Sequence, residues 1–451
     1  MPWVDDGNVV LLTDLYELTM AATYHAEAAD DVATFDLFVR RLPAERRFLV
    51  AAGLEDALDY LEGFRFGAAA LEYLGSLGRF SSDFLERLAS LRFTGDVWAI
   101  PEGVAAFAEE PLLRVSAPIV EAQLVETFLL NCVGFQTMVA SKAARVSIAC
   151  DGRPFVDFSA RRDHGADAAL KAARVAWIAG AAGTSNVLAG QVYGIPLSGT
   201  MAHSYVMRFE REIDAFRAYA RAFPGDAVLL IDTYDTEEAA RTVVDLAREL
   251  AADGVGIAAV RLDSGDLADL STSVRKILDA GGGGGIRIFA SGDLDEYRIA
   301  ELLAHGAPID AFGVGTQLGT SGDAPSLGVV YKLVDAGGPR MKLATGKVTL
   351  PGRKQVWRFL AGGHLDHDMI ALEGEDVGGE PLLEHVMTAG RRTVRSPGLE
   401  EIRERTARTV SILPEALRRL ERAGAGAGDY PVERSPALQD LVERLTGEHD
   451  G

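Results

Sequence analysis

The segment Gly199-Thr-Met-Ala-His-Ser204 sets His203 beside glycine and hydroxyl groups. An imidazole so placed can act as acid, base or nucleophile, because its pKa lies near neutrality. Further on, Ile231-Asp-Thr-Tyr-Asp235 supplies Asp232, a carboxylate able to orient that ring. Val260-Arg-Leu-Asp-Ser-Gly-Asp266 puts a cation (Arg261), an acceptor (Asp263) and bare amides in one loop. That set suits a sugar hydroxyl beside a charged phosphate or carboxylate, and Asp266 could also help hold a metal ion. In Asp157-Phe-Ser-Ala-Arg-Arg-Asp-His-Gly165, Phe158 offers an aromatic face to a flat ring and Arg161 a planar fork to an anion. Ala290-Ser-Gly-Asp-Leu294 and Phe312-Gly-Val-Gly-Thr-Gln317 are glycine loops whose amides can cradle phosphate. Gly183-Thr-Ser-Asn186 opens a turn rich in small residues and donors. Each segment alone has an ordinary explanation: a structural histidine, a surface arginine pair with a core phenylalanine, a capped turn, a plain loop.

Their placement argues further. From about residue 118 short apolar runs alternate with amphipathic stretches of helical period. The runs are Phe155–Phe158, Ile195–Leu197, Ala227–Ile231, Gly256–Leu262, Ile286–Phe289 and Ile309–Gly313. Just past them stand Thr200, Asp232, Asp263, Gly292 and Gly315, separated by 32, 31, 29 and 23 positions. That is the spacing of strand-plus-helix units in a parallel sheet or barrel, whose ligands bind at the carboxyl ends of the strands. Gly281–Gly285, five glycines in a row, reads as a flexible connection on the opposite face.

The expected architecture is α/β, with an irregular (β/α) barrel over 118–334. A smaller α/β domain over 1–117 is completed by about 335–390, and residues 391–451 form a helical extension. Within these, Leu11–Tyr24 reads as a helix capped by Thr13 or Asp14, Ala33–Val39 as a strand, and Ala51–Gly63 and Val120–Val139 as helices. Pro101–Val115 reads as strands broken by turns. The tail shows two helical stretches, Pro414–Ala423 and Ala437–Thr446, joined by a flexible linker at Ala423–Gly428.

A chain of 451 residues with 48% hydrophobic and 25% charged residues has material for two cores. Its formal charge of -21 repels nucleic acid and anionic membranes, so neither is an expected partner. Two cysteines make neither a disulfide framework nor a cysteine zinc site, and fit a reducing cytosol. The opening residues lack the pattern of a secretion signal, and no apolar run reaches the roughly 20 residues that span a bilayer. A cytoplasmic location is expected.

Taken in order, these runs resemble the nicotinate phosphoribosyltransferase family. The resemblance is carried by Leu11-Leu-Thr-Asp-Leu-Tyr-Glu-Leu-Thr-Met20, Gly183-Thr-Ser-Asn-Val-Leu-Ala-Gly190, Tyr193-Gly-Ile-Pro196 and Gly199-Thr-Met-Ala-His-Ser204. Val260-Arg-Leu-Asp-Ser-Gly-Asp-Leu267 and Pro325-Ser-Leu-Gly-Val-Val-Tyr-Lys-Leu-Val334 complete it, and the match runs from about residue 9 to about 360. It implies the type II phosphoribosyltransferase fold and a homodimer with active sites at its interface. Tyr16 of one subunit and Phe158 of the other would sandwich the pyridine ring, with Arg161 near the base. Thr200 and Arg261 match substrate-binding positions. His203 would be phosphorylated by ATP, with Asp232 close to it. Asp263 would bind ribose hydroxyls, and Gly292, Asp293, Gly315 and Thr316 the 5-phosphate. Magnesium would arrive with the substrate rather than at a fixed protein site. The implied reaction is ATP-coupled formation of nicotinate mononucleotide and pyrophosphate from nicotinate and phosphoribosyl pyrophosphate.

Ser185 speaks to the choice of base. In nicotinamide-using relatives the matching residue is an aspartate, which would repel a carboxylate, whereas serine can donate to one. The alternatives are a nicotinamide or quinolinate phosphoribosyltransferase, or a non-catalytic nucleotide-binding homologue. The first is disfavoured by Ser185. The second is disfavoured by the N-terminal match and His203, the third by the presence of His203, Arg261 and Asp263. Some members carry a C-terminal cysteine cluster for zinc, which this chain lacks the cysteines to build. His364 and His367, with Asp366 and Asp368 beside them, read as a solvated turn.

Overall fold

The computed structural model describes residues 4–27, 30–344, 349–420 and 430–449. The βα rhythm folds as a curled parallel sheet. From one edge its strands run Gly183–Thr184, Phe155–Asp157, Ala311–Val314, Arg287–Ala290, Ile257–Leu262 and Ala227–Leu230. Every neighbouring pair is parallel. Leu197 adds one parallel bridge to Thr184 beyond the first edge. This is the strand order of a barrel opened at one seam: among the described residues, only the step from Leu197 to Ala227 lacks pairing. Two expectations are corrected here. Ile195–Leu197 is a single bridge rather than a strand, and Gly183–Thr184, read as a turn, is a strand.

Burial explains the apolar runs. Val260, Leu262, Ile288, Phe312 and Val314 are all buried, as strands of a parallel sheet covered on both faces require. Helices Thr236–Ala251, Leu267–Ala280 and Glu296–Ala304 follow three of the strands. Each is capped by an aspartate (Asp235, Asp266, Asp295) whose carboxylate accepts first-turn amides. Such caps contribute about 1 kcal/mol each and fix where each loop gives way to helix. Gly281 ends the second of these helices, so the glycine run does lie at the amino ends of the strands.

The chain forms two compact units. One comprises residues 139–325 with Leu420; the other comprises the described residues up to 138, of 326–419 and of 423–451. The second of these is built on a six-stranded antiparallel sheet in the order Val329–Ala336, Val32–Val39, Pro111–Pro118, Asp96–Ala99, Glu384–Thr388, Arg391–Arg392. Its face buries Phe35, Leu37, Val97, Leu113 and Val115 against helix Leu54–Gly63 and its neighbours. A four-stranded sheet adds Glu380–Pro381, Lys354–Ala361, His364–Leu372 and Val432–Arg434.

Several bounds differ from expectation. The first α-helix is Leu15–Ala26, with Asp14 at its cap position but making no side-chain cap bond; its carboxylate instead accepts from Thr127, and Thr13 bonds Glu17. The expected helix Val120–Val139 is two helices, Ile119–Leu124 and Glu126–Ala149. The C-terminal region is not purely helical, since Val432–Arg434 pairs in parallel with His364–Leu372. It holds helices Leu399–Ile412 and Pro436–His449, whereas the stretch near Pro414 makes only Glu415–Arg418. The expected linker Ala423–Gly428 lies outside the described residues. His364, Asp366, His367 and Asp368 belong to a strand rather than a turn, and Asp368 is buried in an ion pair with Arg358. Among the described residues no helix is long and apolar enough to cross a membrane.

Candidate active site

The carboxyl ends of the parallel strands converge on Arg261, the penultimate residue of Ile257–Leu262. Its Nε donates to Ser291 Oγ at 2.7 Å, Nη1 to Thr200 Oγ1 at 2.8 Å and Nη2 to Asp263 Oδ1 at 2.6 Å. Its guanidinium also lies 5.5 Å from the Phe158 ring centroid, within cation–π range. One fork thus ties together the loops after three strands and the stretch after the Leu197 bridge. Partial burial opposes charge on Asp263. The bonds from Ser291 and Arg261, with His203 near, outweigh it and hold Asp263 below the ordinary carboxylate range.

His203 opens a short helix, His203–Met207, in the chain crossing the unpaired seam. Its Nδ1 is 3.1 Å from Thr233 Oγ1. Its Nε2 lies 4.0 Å from both Asp232 Oδ1 and Asp263 Oδ2. Asp232 is fixed from behind: its Oδ2 accepts the Asp263 amide at 2.8 Å and the Ser264 hydroxyl at 2.7 Å. Its Oδ1 is buried without a hydrogen-bond partner. A buried carboxylate oxygen left unpaired is costly. Here it faces the imidazole, 4.0 Å from Nε2.

The glycine loops have steric reasons. Gly292 (φ +93°) is followed by Asp293, also left-handed at φ +46°. A Cβ on Gly292 would lie 1.9 Å from the Asp263 carbonyl, so glycine alone allows the two loops to touch. A Cβ on Gly313 would strike the Phe158 ring at 2.6 Å. Phe158 therefore rests half-buried on the floor of the sheet. Asp263, Ser264, Gly292 and Asp293 line one wall of a cavity of about 690 Å³ that extends past Tyr297, Arg298 and Glu301. This is within the size range of small-ligand sites.

The loop after Phe155–Asp157 is braced by acids. Buried Asp157 accepts from Ser159 Oγ at 2.6 Å and Thr184 Oγ1 at 2.7 Å. Ser159 Oγ also lies 3.0 Å from Asp163 Oδ2. Burial first, then the Asp157 charge, pushes the Asp163 carboxyl up to about 6. Arg161 and Ser185 are exposed on this rim, and Ser185 is tied through its amide to the Asp157 carbonyl at 2.9 Å. Gly315 caps the turn of helix Thr316–Gly319, with Thr316 exposed. Asp266 spends Oδ1 on capping its own helix.

Thus Phe158, Arg161, Ser185, Thr200, His203, Asp232, Arg261, Asp263, Gly292, Asp293, Gly315 and Thr316 all stand at the carboxyl ends of one sheet. Tyr16 belongs to the other unit, in helix Leu15–Ala26, and is half exposed. Burial, and next the charges of Glu126 and Glu17, hold its phenol above the ordinary value, so it remains a donor to Glu126. Sequence reasoning gave no role to Thr233, Ser291, Asp157 and Asp163. Thr233 and Ser291 meet partners 30 positions away, and Asp157 and Asp163 brace the loop through Ser159.

Three family models match in succession. The nicotinate phosphoribosyltransferase N-terminal domain covers residues 11–134, the family's central model 154–336 and its C-terminal domain 376–442. The chain is 51% identical over 437 residues to the nicotinate phosphoribosyltransferase pncB2 of Mycobacterium tuberculosis, covering 96% of this chain and 93% of that one. It is 40% identical over 464 residues to the nicotinate phosphoribosyltransferase of Bacillus subtilis, covering 95% and 94%. Among solved structures, human nicotinic acid phosphoribosyltransferase superposes with a TM-score of 0.86 at 32% identity, over 96% of this chain and 99% of that one. The nicotinate-nucleotide pyrophosphorylase of Pyrococcus furiosus superposes with a TM-score of 0.75 at 26% identity, over 91% and 98%. Extent, order and fold agree: the chain belongs to the nicotinate phosphoribosyltransferase family, enzymes of NAD synthesis.

Proposed function

We propose that this site joins nicotinate to phosphoribosyl pyrophosphate, giving nicotinate mononucleotide and pyrophosphate, with ATP hydrolysed through phosphorylation of His203. The observation that carries the reading is His203 Nε2 standing 4.0 Å from Asp232 Oδ1, a buried oxygen with no hydrogen-bond partner, beside the Arg261 hub. The imidazole supplies a ring nitrogen with a lone pair to take the phosphoryl group, and the adjoining Thr233 hydroxyl and Asp232 carboxylate can orient the ring. ATP transfers its terminal phosphoryl group to His203 and leaves as ADP, and water later releases phosphate. In the transfer step the pyridine nitrogen bonds to the ribose carbon as that carbon's bond to pyrophosphate breaks. Positive charge builds on the sugar in between. Asp263, kept ionised, suits the ribose hydroxyls and the growing charge. The paired loops at Gly292–Asp293 and Gly315–Thr316 offer amides to the 5-phosphate.

Magnesium fits as a substrate-borne ion. Asp263 and Asp293 both line the cavity and offer hard oxygens, the ligands it prefers. Bound with pyrophosphate, it would neutralise the leaving group. On the base side, Phe158 supplies the flat face, and Arg161 with Ser185 supplies donors to a carboxylate. A homodimer is supported by exposed apolar side chains next to Ser185, namely Val187 at 70%, Leu188 at 52% and Leu197 at 55%. Patches of that kind are usually covered by a partner. Tyr16 of the partner would close the second face of the pyridine.

The test is His203→Ala, assayed for mononucleotide and ADP. Slow ATP-independent transfer is expected to remain while ATP changes the rate by less than about twofold. Full ATP-coupled turnover in the variant would refute the phosphohistidine.

A further inference from the structure

Close in sequence to the two proposed phosphate loops lies a buried charged cluster. Lys142 and Arg145 stand three positions apart, hence on one face, in helix Glu126–Ala149. Lys142 Nζ bonds Glu296 Oε2 and also reaches Asp323 Oδ1 at 2.8 Å. Arg145 Nε donates to the other Glu296 oxygen at 3.0 Å, and its Nη2 to Tyr297 Oη at 2.9 Å. Lys142 and Arg145 are each 1% exposed, Glu296 is fully buried and Asp323 is 8% exposed. Two cations and two anions balance, which is the condition for keeping such charges out of water.

What matters is where the anions sit. Glu296 is the first residue of helix Glu296–Ala304, directly after the loop of Ser291, Gly292 and Asp293. Asp323 lies on the turn that closes the Thr316–Gly319 helix, where Gly322 donates its amide to the Gln317 carbonyl at 3.1 Å. The loops belong to adjacent strands, Arg287–Ala290 and Ala311–Val314, whose register pairs Phe289 with Ala311 and Ala290 with Phe312. We infer that Lys142 is a positioning residue for the phosphoribosyl donor: one ammonium spans both loops and sets the separation of the amides that grip its 5-phosphate. This rests on the assignment of those loops to the phosphate. A ligand gripped by two loops loses affinity when their spacing loosens, even though no contact to it is deleted.

Asp323→Ala cuts one tether on a turn outside the helices and leaves the Lys142–Glu296 pair intact. KM for phosphoribosyl pyrophosphate should rise roughly tenfold, with a smaller change in kcat. Lys142→Met should raise the same KM, and the double variant should be no worse than the worse single, because both remove one link. Where Lys142→Met fails to fold, Asp323→Ala alone decides. Unchanged KM in Asp323→Ala, with a lowered unfolding temperature only, would overturn the inference and leave the cluster as a structural ion group. Gly292→Ala, which displaces the amides of its loop by driving a Cβ at the Asp263 carbonyl, separates the two readings. If it raises KM while Asp323→Ala does not, the phosphate assignment stands and the tether fails. If it leaves KM unchanged, the phosphate assignment itself fails.

Discussion

At the scale of the residue, the site is a set of short polar contacts around two fixed groups, the Arg261 fork and the Asp232 carboxylate. Asp163 shows how burial tunes such a set. Its folded pKa of about 6 lies above the ordinary carboxylate value, so the folded state holds its proton more tightly than the unfolded chain. Its contribution to stability is therefore full in acid and is lost as pH rises through 6. Asp163→Asn, which cannot ionise, should match the parent near pH 4. It should be more stable above pH 7 by about 1 kcal/mol, after discounting for partial exposure. Unfolding midpoints across pH 4–8 read this directly, and parallel curves for the two proteins would contradict it.

At the scale of the element, the strands were legible because a parallel strand buried on both faces is a continuous apolar run, and each run here ends in a polar residue at the rim. The Gly183–Thr184 strand was not, being two small residues whose pairing is fixed by the Thr184 bond to Asp157. Helix Leu399–Ile412 was hidden for a related reason: its buried face uses Thr406 and Thr409 with Ile402, a weak apolar stripe. The principal site residues could be read from motifs, since each motif is contiguous. Their supports could not. Lys142 meets Glu296 across 154 positions, and nothing local in an apolar helix announces that partner. The loops themselves yield a sharp prediction. Gly292→Ala forces a Cβ toward the Asp263 carbonyl and strains a positive φ, at about 1–3 kcal/mol. KM for phosphoribosyl pyrophosphate should rise by about tenfold or more. Unaltered kinetics would mean that the loop contact is irrelevant to the donor.

At the scale of the whole molecule, an acidic chain of net charge -21 handles anionic substrates, so attraction must be local, from Arg261 and the exposed Arg161 on one rim. The proposed shared site adds a requirement beyond a single chain. If Tyr16 and Phe158 of different subunits sandwich the base, then Tyr16→Ala and Phe158→Ala, each nearly inactive, should complement when co-refolded. Random pairing makes half the dimers mixed, each with one intact site, so about a quarter of the parental activity should return. No recovery, with dimers present, would put both rings in the same chain's site.

The most direct test of the account compares nicotinate with nicotinamide, each with phosphoribosyl pyrophosphate and magnesium, with and without ATP, for the parent chain and Ser185→Asp. The parent should form mononucleotide chiefly from nicotinate, faster with ATP and with ADP released. Ser185→Asp should lower kcat/KM for nicotinate by about a hundredfold while nicotinamide suffers less. Product mainly from nicotinamide in the parent would contradict the reading of the base site, and no product from either base would contradict the proposed reaction.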